Sequence, residues 1–266
     1  MAMHHHGGIA SQIALFILLV FLPMIISLLY GYFSIRLYRI NKWSGWRIIS
    51  FMTGSALIIM AMLPPVSVWA HHDMRGHMVQ HLFLGMFGPI GLVFGAPGTL
   101  LIRSVPVNVA RRIAFFFKLK LVRFITHPVT AALLDMGGMF VLYLTPFYTV
   151  SMTSPGFFIF LHVHFVLSGY LFAWSVAGPD PAPRRPGKIM QISVLFVATA
   201  AHAILSKLMY VYGYPHGTIA GLSEIQSAAE LMYYGGDIAE FLLIVGFFAG
   251  WFRRKGMLPE TFTVQR

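Results

Sequence analysis

The residues best suited to chemistry lie in one short run, HHDMRGHMVQH, from His71 to His81. On a helix, Met74, His77 and His81 follow one another at i, i+3 and i+7, so they share one stripe, with Met78 beside it. Two histidines four residues apart suit a divalent metal ion. Thioethers next to imidazoles favour copper, Cu(I) especially, over magnesium or calcium. We therefore predict metal ligands at Met74, His77, Met78 and His81.

The residues that precede this stripe allow two interpretations. His71, His72 and Asp73 either support the metal site, with Asp73 as a hydrogen-bond partner of a ligand, or only cap helix ends at a wet membrane interface.

Three more histidines lie on other predicted helices. His162 and His164 are two residues apart, so on a helix their side chains point about 200° apart. We expect one to face the interior and the other to bond to a neighbouring helix or serve a second site, and the sequence does not indicate which. His202 aligns with Ser206 and Met209; it is either a ligand or a hydrogen-bonded packing residue.

The last predicted helix carries acidic and phenolic residues at spacings of three and four, namely Glu230, Tyr233, Tyr234, Asp237 and Glu240. Because carboxylates avoid lipid, we predict that this face points inward. Glu230, Asp237 and Glu240 would then orient ligand histidines, relay protons when metal binds, or only join helices by hydrogen bonds. Asp135, within the fourth helix, allows the same interpretations.

Composition points to a membrane protein. The chain has 266 residues, of which 58% are hydrophobic and 10% charged, whereas soluble domains carry about 25% charged residues. Cysteine is absent, which excludes disulfides, zinc–thiolate sites and iron–sulfur clusters. The net charge of +11 would suggest nucleic acid in a soluble protein, but the position of the cations gives it another meaning.

We predict an all-α fold: a polytopic membrane bundle of seven transmembrane helices, at about 10–35, 46–69, 78–102, 126–150, 156–178, 188–212 and 228–252. Seventeen of the 19 Lys and Arg residues fall in alternate connections and the C-terminal tail. Cationic loops stay in the cytoplasm, so we expect the N-terminus outside, the C-terminus cytoplasmic, and no nucleic-acid partner. Some attraction to anionic lipid is also expected.

The predicted organisation is one domain with two tails. Residues 1–9 form an outer tail, 10–252 the seven-helix domain, and 253–266 a cytoplasmic tail. Segment 103–125 is apolar and basic together and is expected to lie along the cytoplasmic interface. The outer tail contains His4, His5 and His6, which are either a native copper-capturing arm or a remnant of an affinity tag.

This topology sorts the histidines. Eleven of the 12 fall toward the outer side, with only His127 cytoplasmic. At a rise of about 1.5 Å per residue, His81, His162, His164 and His202 lie roughly 6–15 Å below the outer ends of their helices. Ionisable groups at such depth are costly and mark functional sites, so we predict a His/Met copper site near the outer face.

Three runs resemble the CtaG-type cytochrome c oxidase assembly factors: HMVQHLFLGMFGPIGLVFGAP (77–97), HVHFVLSGYLFAWSVAGPDPAP (162–183) and LMYVYG (208–213). The resemblance implies a seven-helix protein of the bacterial plasma membrane that is not an enzyme. It implies a metallochaperone of the respiratory chain, which delivers copper to the CuB centre of the oxidase's catalytic subunit, with other copper chaperones as possible suppliers. By position it favours His77, His81, His162 and His164.

Two other functions compete. A b-type haem protein, for electron transfer or haem modification, would use His162 or His164 with His202 as axial ligands. A transporter would use the histidines and carboxylates as a path, but the cytoplasmic half lacks a matching polar series and no inverted repeat is apparent. Oligomeric state is left open.

Overall fold

The computed structural model describes residues 17–40, 42–182 and 185–254. His4, His5 and His6, which are either a copper-capturing arm or a tag remnant, lie outside the described residues. Every regular element in these ranges is helical and none is a strand. The α-helices are α1 (Leu22–Tyr38), α2 (Gly45–Met62), α3 (Val66–His72), α4 (Met74–His81), α5 (Gly88–Phe94), α6 (Pro97–Ser104), α7 (Val107–Phe116), α8 (Lys120–Ile125), α9 (Pro128–Leu144), α10 (Phe147–Thr153), α11 (Pro155–Ala177), α12 (Lys188–Tyr212) and α13 (Leu222–Arg254). π-Helical turns occupy Ile17–Phe21 and Leu82–Phe87.

Five helical stretches of the described chain are long and apolar enough to cross a membrane: α2, the continuous Met74–Phe94, α11, α12 and α13. The pair α9 and α10 makes a sixth if it counts as one span, although its two parts are bent by 83°. Helix α1 is apolar but has only 17 residues, and the span predicted at 10–35 begins outside the described residues. The fold is therefore an all-helical bundle with five or six candidate spans.

Three predicted spans are interrupted where the backbone cannot continue a helix. Pro64 and Pro65 separate α2 from α3, since proline removes an amide donor. Ala96 adopts a left-handed conformation with φ of 54° and separates α5 from α6. Thr145 precedes Pro146, and the residue before proline is disfavoured in a helix, which accounts for the bend between α9 and α10. The spans predicted at 46–69, 78–102 and 126–150 are thus each shorter than expected.

The helix Met74–Phe94 is the centre of the bundle. Two thirds of its length (67%) is buried inside the protein, against 28–39% for the other four continuous spans. It packs on α2, α11 and α13. Its middle is the π-helical turn Leu82–Phe87, which begins directly after His81; such wide turns are frequent at functional sites.

Glycines allow the backbones around this central helix to approach closely. A Cβ on Gly54 of α2 would lie 2.5 Å from the Gly88 carbonyl oxygen, and one on Gly91 would lie 2.6 Å from the Gly54 Cα. On the opposite side, a Cβ on Gly169 of α11 would overlap the Gly85 carbonyl oxygen. Small residues at crossings are how membrane helices gain packing energy in the absence of a hydrophobic driving force.

A buried carboxylate fixes the start of α6, the helix that follows the central one. Asp180, only 3% exposed, accepts hydrogen bonds from the amides of Gly98 and Thr99 at 3.0 and 2.6 Å, and from the Thr99 hydroxyl at 2.6 Å. These are first-turn donors of α6, which a helix cannot satisfy itself. Asp180 therefore has a structural role, which explains the polar residue within the run GPDPAP.

Segment 103–125 packs on the outside of the bundle. Its helices α7 and α8 contain no buried residue. Phe115, Phe116 and Phe124 are each about two thirds exposed, at 65%, 67% and 65%. The end of the bundle that carries this segment and its cations is called the basic end below.

The glycine crossing gives a first prediction. Gly54→Ala places a methyl group against backbone atoms that cannot turn aside, so the free energy of unfolding should fall by about 1–3 kcal/mol. Gly137→Ala in α9 is the matched control, because nothing lies within 4 Å of its added Cβ. That change should be neutral or stabilising by up to about 1 kcal/mol. Thermal unfolding in detergent measures both, and equal effects would contradict the proposed crossing.

Candidate metal centre

Four buried histidines from three helices lie near one another inside the bundle. His77 and His81 belong to α4, His162 to α11 and His202 to α12, and they are 4%, 4%, 3% and 1% exposed. His77, His162 and His202 all lie close enough to His81 to interact with it electrostatically. These four residues are called the histidine cluster below.

Two tyrosines hold His77 together with both methionines of its stripe. The Tyr143 hydroxyl lies 3.1 Å from His77 Nε2 and 3.8 Å from Met78 Sδ. The Tyr148 hydroxyl donates to Met74 Sδ at 2.9 Å, and its ring meets the His77 ring edge-on at 5.1 Å between centroids. The predicted stripe is thus buried on one side of α4, with an imidazole and two thioethers around a pair of phenols.

His81 has no hydrogen-bond partner for either ring nitrogen, although both atoms are buried. Its ring packs against Phe165 at 4.7 Å and Tyr143 at 6.2 Å between centroids. A neutral imidazole carries one N–H donor and one lone pair, and leaving such groups unpaired in an apolar interior costs about 1–3 kcal/mol each. Buried polar atoms in this state call for an explanation, and a bound ligand is one.

The structure separates the two histidines of α11. His162 points inward, where Nδ1 donates to the Phe158 carbonyl at 2.8 Å and Nε2 lies 3.3 Å from Gln80 Oε1. His164 instead packs on α9, where Nε2 donates to the Leu134 carbonyl at 3.1 Å beside Gly138. With its Nδ1 proton committed, a neutral His162 ring carries its lone pair on Nε2, which Gln80 Oε1 cannot satisfy.

His202 faces a carboxylate across the α12–α13 contact. Its Nδ1 lies 3.7 Å from Glu240 Oε1, and its Nε2 is buried without a partner. A Cβ on Gly236 would lie 2.0 Å from His202 Cε1, so only glycine leaves room for the ring here. Ser206 and Met209, predicted on the same stripe, are buried with it. Glu240 and Asp135 also line an internal cavity of about 20 Å³, enough for one water molecule.

The described residues hold no ready-made group of three His, Asp or Glu side chains around a common point. The donor set nevertheless suits copper, because imidazoles and thioethers are the ligands available and thiolates are absent. A copper ion would need the rings of the cluster to turn toward each other.

The sequence profile of the family described as cytochrome c oxidase caa3 assembly factor (Caa3_CtaG) matches residues 28–254. The chain belongs to this family. The expected family resemblance is thereby confirmed.

Curated relatives of the chain are described only as uncharacterized proteins. One from Mycobacterium tuberculosis and one from Mycobacterium bovis are each 31% identical over 172 residues, and one from Mycobacterium leprae is 29% identical over 170 residues. The matches cover 61–62% of this chain and 26% of each relative. The matched region is thus about a quarter of their length. No solved structure matches the chain significantly.

The prediction that the whole acidic face of the last helix, α13, points inward is wrong. Glu240 is buried, but Glu230 and Asp237 are exposed, so they do not lie beside the histidine cluster. Four of the nine residues that α13 buries are small, namely Ala228, Ala229, Gly236 and Ala239. Packing against α4 and α12 selects this narrow face, and the carboxylates at 230 and 237 lie about 60–80° around the helix from Glu240.

Of the two interpretations of Asp73, the structure agrees with helix capping and not with hydrogen bonding to a ligand. Asp73 caps α4 by accepting from the Arg75 amide at 2.8 Å and pairs with the Arg75 side chain. Hydrogen bonds from this guanidinium lower the pKa of Asp73 to about 2. His71 and His72 are exposed on α3, which agrees with the capping interpretation.

Four residues around the site were missed from the sequence: Gln80, Tyr143, Tyr148 and Glu224. Gln80 joins His162 to α2 by donating to the Ala61 carbonyl at 2.8 Å. Glu224 Oε1 accepts from the Met74 amide at 2.7 Å and fixes the start of α4. Gln80 is an uncharged polar residue within the run from His71 to His81 to which the sequence analysis assigned no role, so it could have been found.

The contact between Gly236 and His202 gives a second prediction. Gly236→Ala should lower the free energy of unfolding by about 1–3 kcal/mol, because the methyl group displaces the imidazole. In a His202→Ala background the same change should be neutral or stabilising by up to about 1 kcal/mol. Denaturation of the four members of this cycle measures the coupling. Additive effects would show that the two groups do not touch.

Proposed function

We propose that this assembly factor binds copper at the histidine cluster and is a metallochaperone rather than an enzyme. It presents the ion to the catalytic subunit of a haem–copper oxidase, for insertion at the CuB centre. Family membership supports the general role in oxidase assembly. The chemistry of the cluster supports copper as the cargo.

The observation that carries this proposal is His81. Its two ring nitrogens are buried and unpartnered, and His77, His162 and His202 lie near enough to interact with it electrostatically. A metal ion bound to one nitrogen would offset the cost of burying that unpaired atom. A preference for copper follows from Met74 and Met78, whose soft sulfur atoms flank the same stripe.

His162 has the hydrogen bonding typical of a metal ligand. Ligand histidines usually donate their second ring N–H to a carbonyl or carboxylate, which fixes the tautomer and directs the other nitrogen to the metal. His162 makes this bond to the Phe158 carbonyl and leaves Nε2 toward the interior. His164 bonds outward to Leu134, so we propose His77, His81 and His162 as the principal ligands, with His202 beside them.

We further propose seven spans in the bacterial plasma membrane, with the histidine cluster near the outer face. The cations of the basic end support a cytoplasmic position for it. The seventh span would comprise α1 together with the π-helical turn Ile17–Phe21 that leads directly into it. Copper would then be handed over on the side where other copper chaperones supply it.

Copper binding gives the third prediction. The full chain, purified without an affinity tag, should retain copper, and the variant His77→Ala/His81→Ala should lose nearly all of it while keeping its helical content. His127→Ala is the matched control, because this histidine lies at the basic end and should not affect copper. Elemental analysis and far-UV circular dichroism give the two readouts. An unchanged copper content in the double variant would overturn the site.

The same purified protein separates copper from the competing haem function. A protein that binds copper alone should show no Soret absorbance, whereas axial histidines on a b-type haem would give a Soret band in proportion to the protein. The thioethers around His77 favour the copper function. A stoichiometric Soret band that disappears with His162→Ala or His202→Ala would instead establish the haem protein.

Topology gives the fourth prediction, and the absence of cysteine makes it direct. Ile219→Cys, at a fully exposed position between α12 and α13 (107%), should react in intact cells with a maleimide that does not cross membranes. Arg112→Cys, on α7 at the basic end, should react only after permeabilisation. The reverse pattern would invert the proposed orientation.

A further inference from the structure

A cleft of about 800 Å³ opens at the basic end of the bundle, away from the histidine cluster. Its walls include Lys120, Arg123, Phe124, His127, Arg185 and Gly187. The volume falls within the range of small-molecule pockets, roughly 300–1,000 Å³. Oxidase assembly, as proposed, uses none of these residues.

The charge in this cleft is of one sign. Lys120, Arg123 and Arg185 contribute cations from α8 and from the connection before α12, and no acidic residue of the described chain lines the walls. The carboxylate of Asp180, whose backbone carbonyl bonds to Arg185, is already occupied by the amides of Gly98 and Thr99. The cleft therefore presents an electrostatic field that selects anions.

Hydrogen-bond donors in the cleft are held in place. His127 Nδ1 accepts from the Val129 amide at 3.3 Å, so a neutral ring carries its proton on Nε2 and donates from there. Arg185 bonds to the Asp180 carbonyl, which ties its guanidinium to the wall. The 25-residue helix α12 begins at the cleft and has no side-chain cap at Gly187, which adds the positive end of a helix dipole to the same field.

The surroundings of the cleft are apolar. Phe124 in its wall is 65% exposed, and Phe115, Phe116 and Leu121 nearby along the chain are 65%, 67% and 68% exposed. A free inorganic anion would leave these side chains uncovered. A molecule with a phosphate group and hydrocarbon chains would satisfy both the cations and the aromatic side chains.

We propose that this cleft binds the phosphate group of an anionic phospholipid. The phosphate lies among Lys120, Arg123 and Arg185, and the acyl chains run along the exposed aromatic side chains of α7 and α8. Bound in this way, a lipid fastens segment 107–125 to the starts of α9 and α12. The site is separate from copper binding, so either proposal can fail without the other.

Lipid titration tests the cleft. The full chain in detergent is titrated with phosphatidylglycerol or phosphatidylcholine, and bound lipid is counted by native mass spectrometry. We expect phosphatidylglycerol to bind more tightly than phosphatidylcholine. Each cation near a membrane surface contributes about fivefold in affinity, so Lys120→Gln/Arg123→Gln should weaken phosphatidylglycerol binding roughly 25-fold. Lys120→Arg/Arg123→Lys keeps both charges and should retain it.

The matched control is Arg111→Gln/Arg112→Gln. These exposed cations lie on α7, outside the cleft walls, so their loss removes the same charge but should leave binding unchanged. Far-UV circular dichroism verifies that all variants stay helical. If both double Gln variants weakened phosphatidylglycerol binding equally, binding would depend on overall surface charge and not on the cleft. Displacement of phosphatidylglycerol by inorganic phosphate would show that the cleft binds free anions, and it would contradict the proposal of a bound phospholipid.

Discussion

The close approach of helix backbones around Met74–Phe94 is the constraint on which the rest of the structure depends. Gly54 and Gly91 bring α2 against one side of this helix, and Gly85 and Gly169 bring α11 against the other. Backbones this close leave little freedom to rotate, since membrane interfaces of small residues gain their energy from such contact. The directions in which His77 and His81 project follow from this packing.

Polar groups inside the bundle divide into those with partners and those without. Asp180 has three donors and needs nothing more; its removal would leave the start of α6 unsatisfied. His81 has no partner and stabilises no element by hydrogen bonding. No water is available in hydrocarbon to relieve such a group. Such a residue is the stronger candidate for binding a ligand, so the proposed site is centred on His81 and not on Asp180.

Hydropathy and residue spacing predicted the helical bundle, and the i, i+3, i+7 spacing placed Met74, His77 and His81 on one buried stripe. Tyr148 could not be predicted, because it reaches this stripe through an 83° bend at Pro146 whose direction no local pattern encodes. The buried face of α13 also could not be predicted from the sequence. Carboxylate spacing suggested one face, but alanines and glycines that fit against α4 and α12 decide another, and smallness carries no periodic hydrophobic signal.

The hydrogen-bond partners of the candidate ligands affect how a bound metal ion could be released. Met74 and Met78 accept from tyrosine hydroxyls, and a thioether is a weak acceptor. Gln80 faces His162 through an oxygen that cannot donate to its free lone pair. Such contacts cost little to exchange, unlike the three bonds that hold Asp180. If these residues are the ligands, as proposed, side chains held this weakly can turn to a metal and return when it is withdrawn, which is the behaviour that transfer requires and permanent metal storage does not.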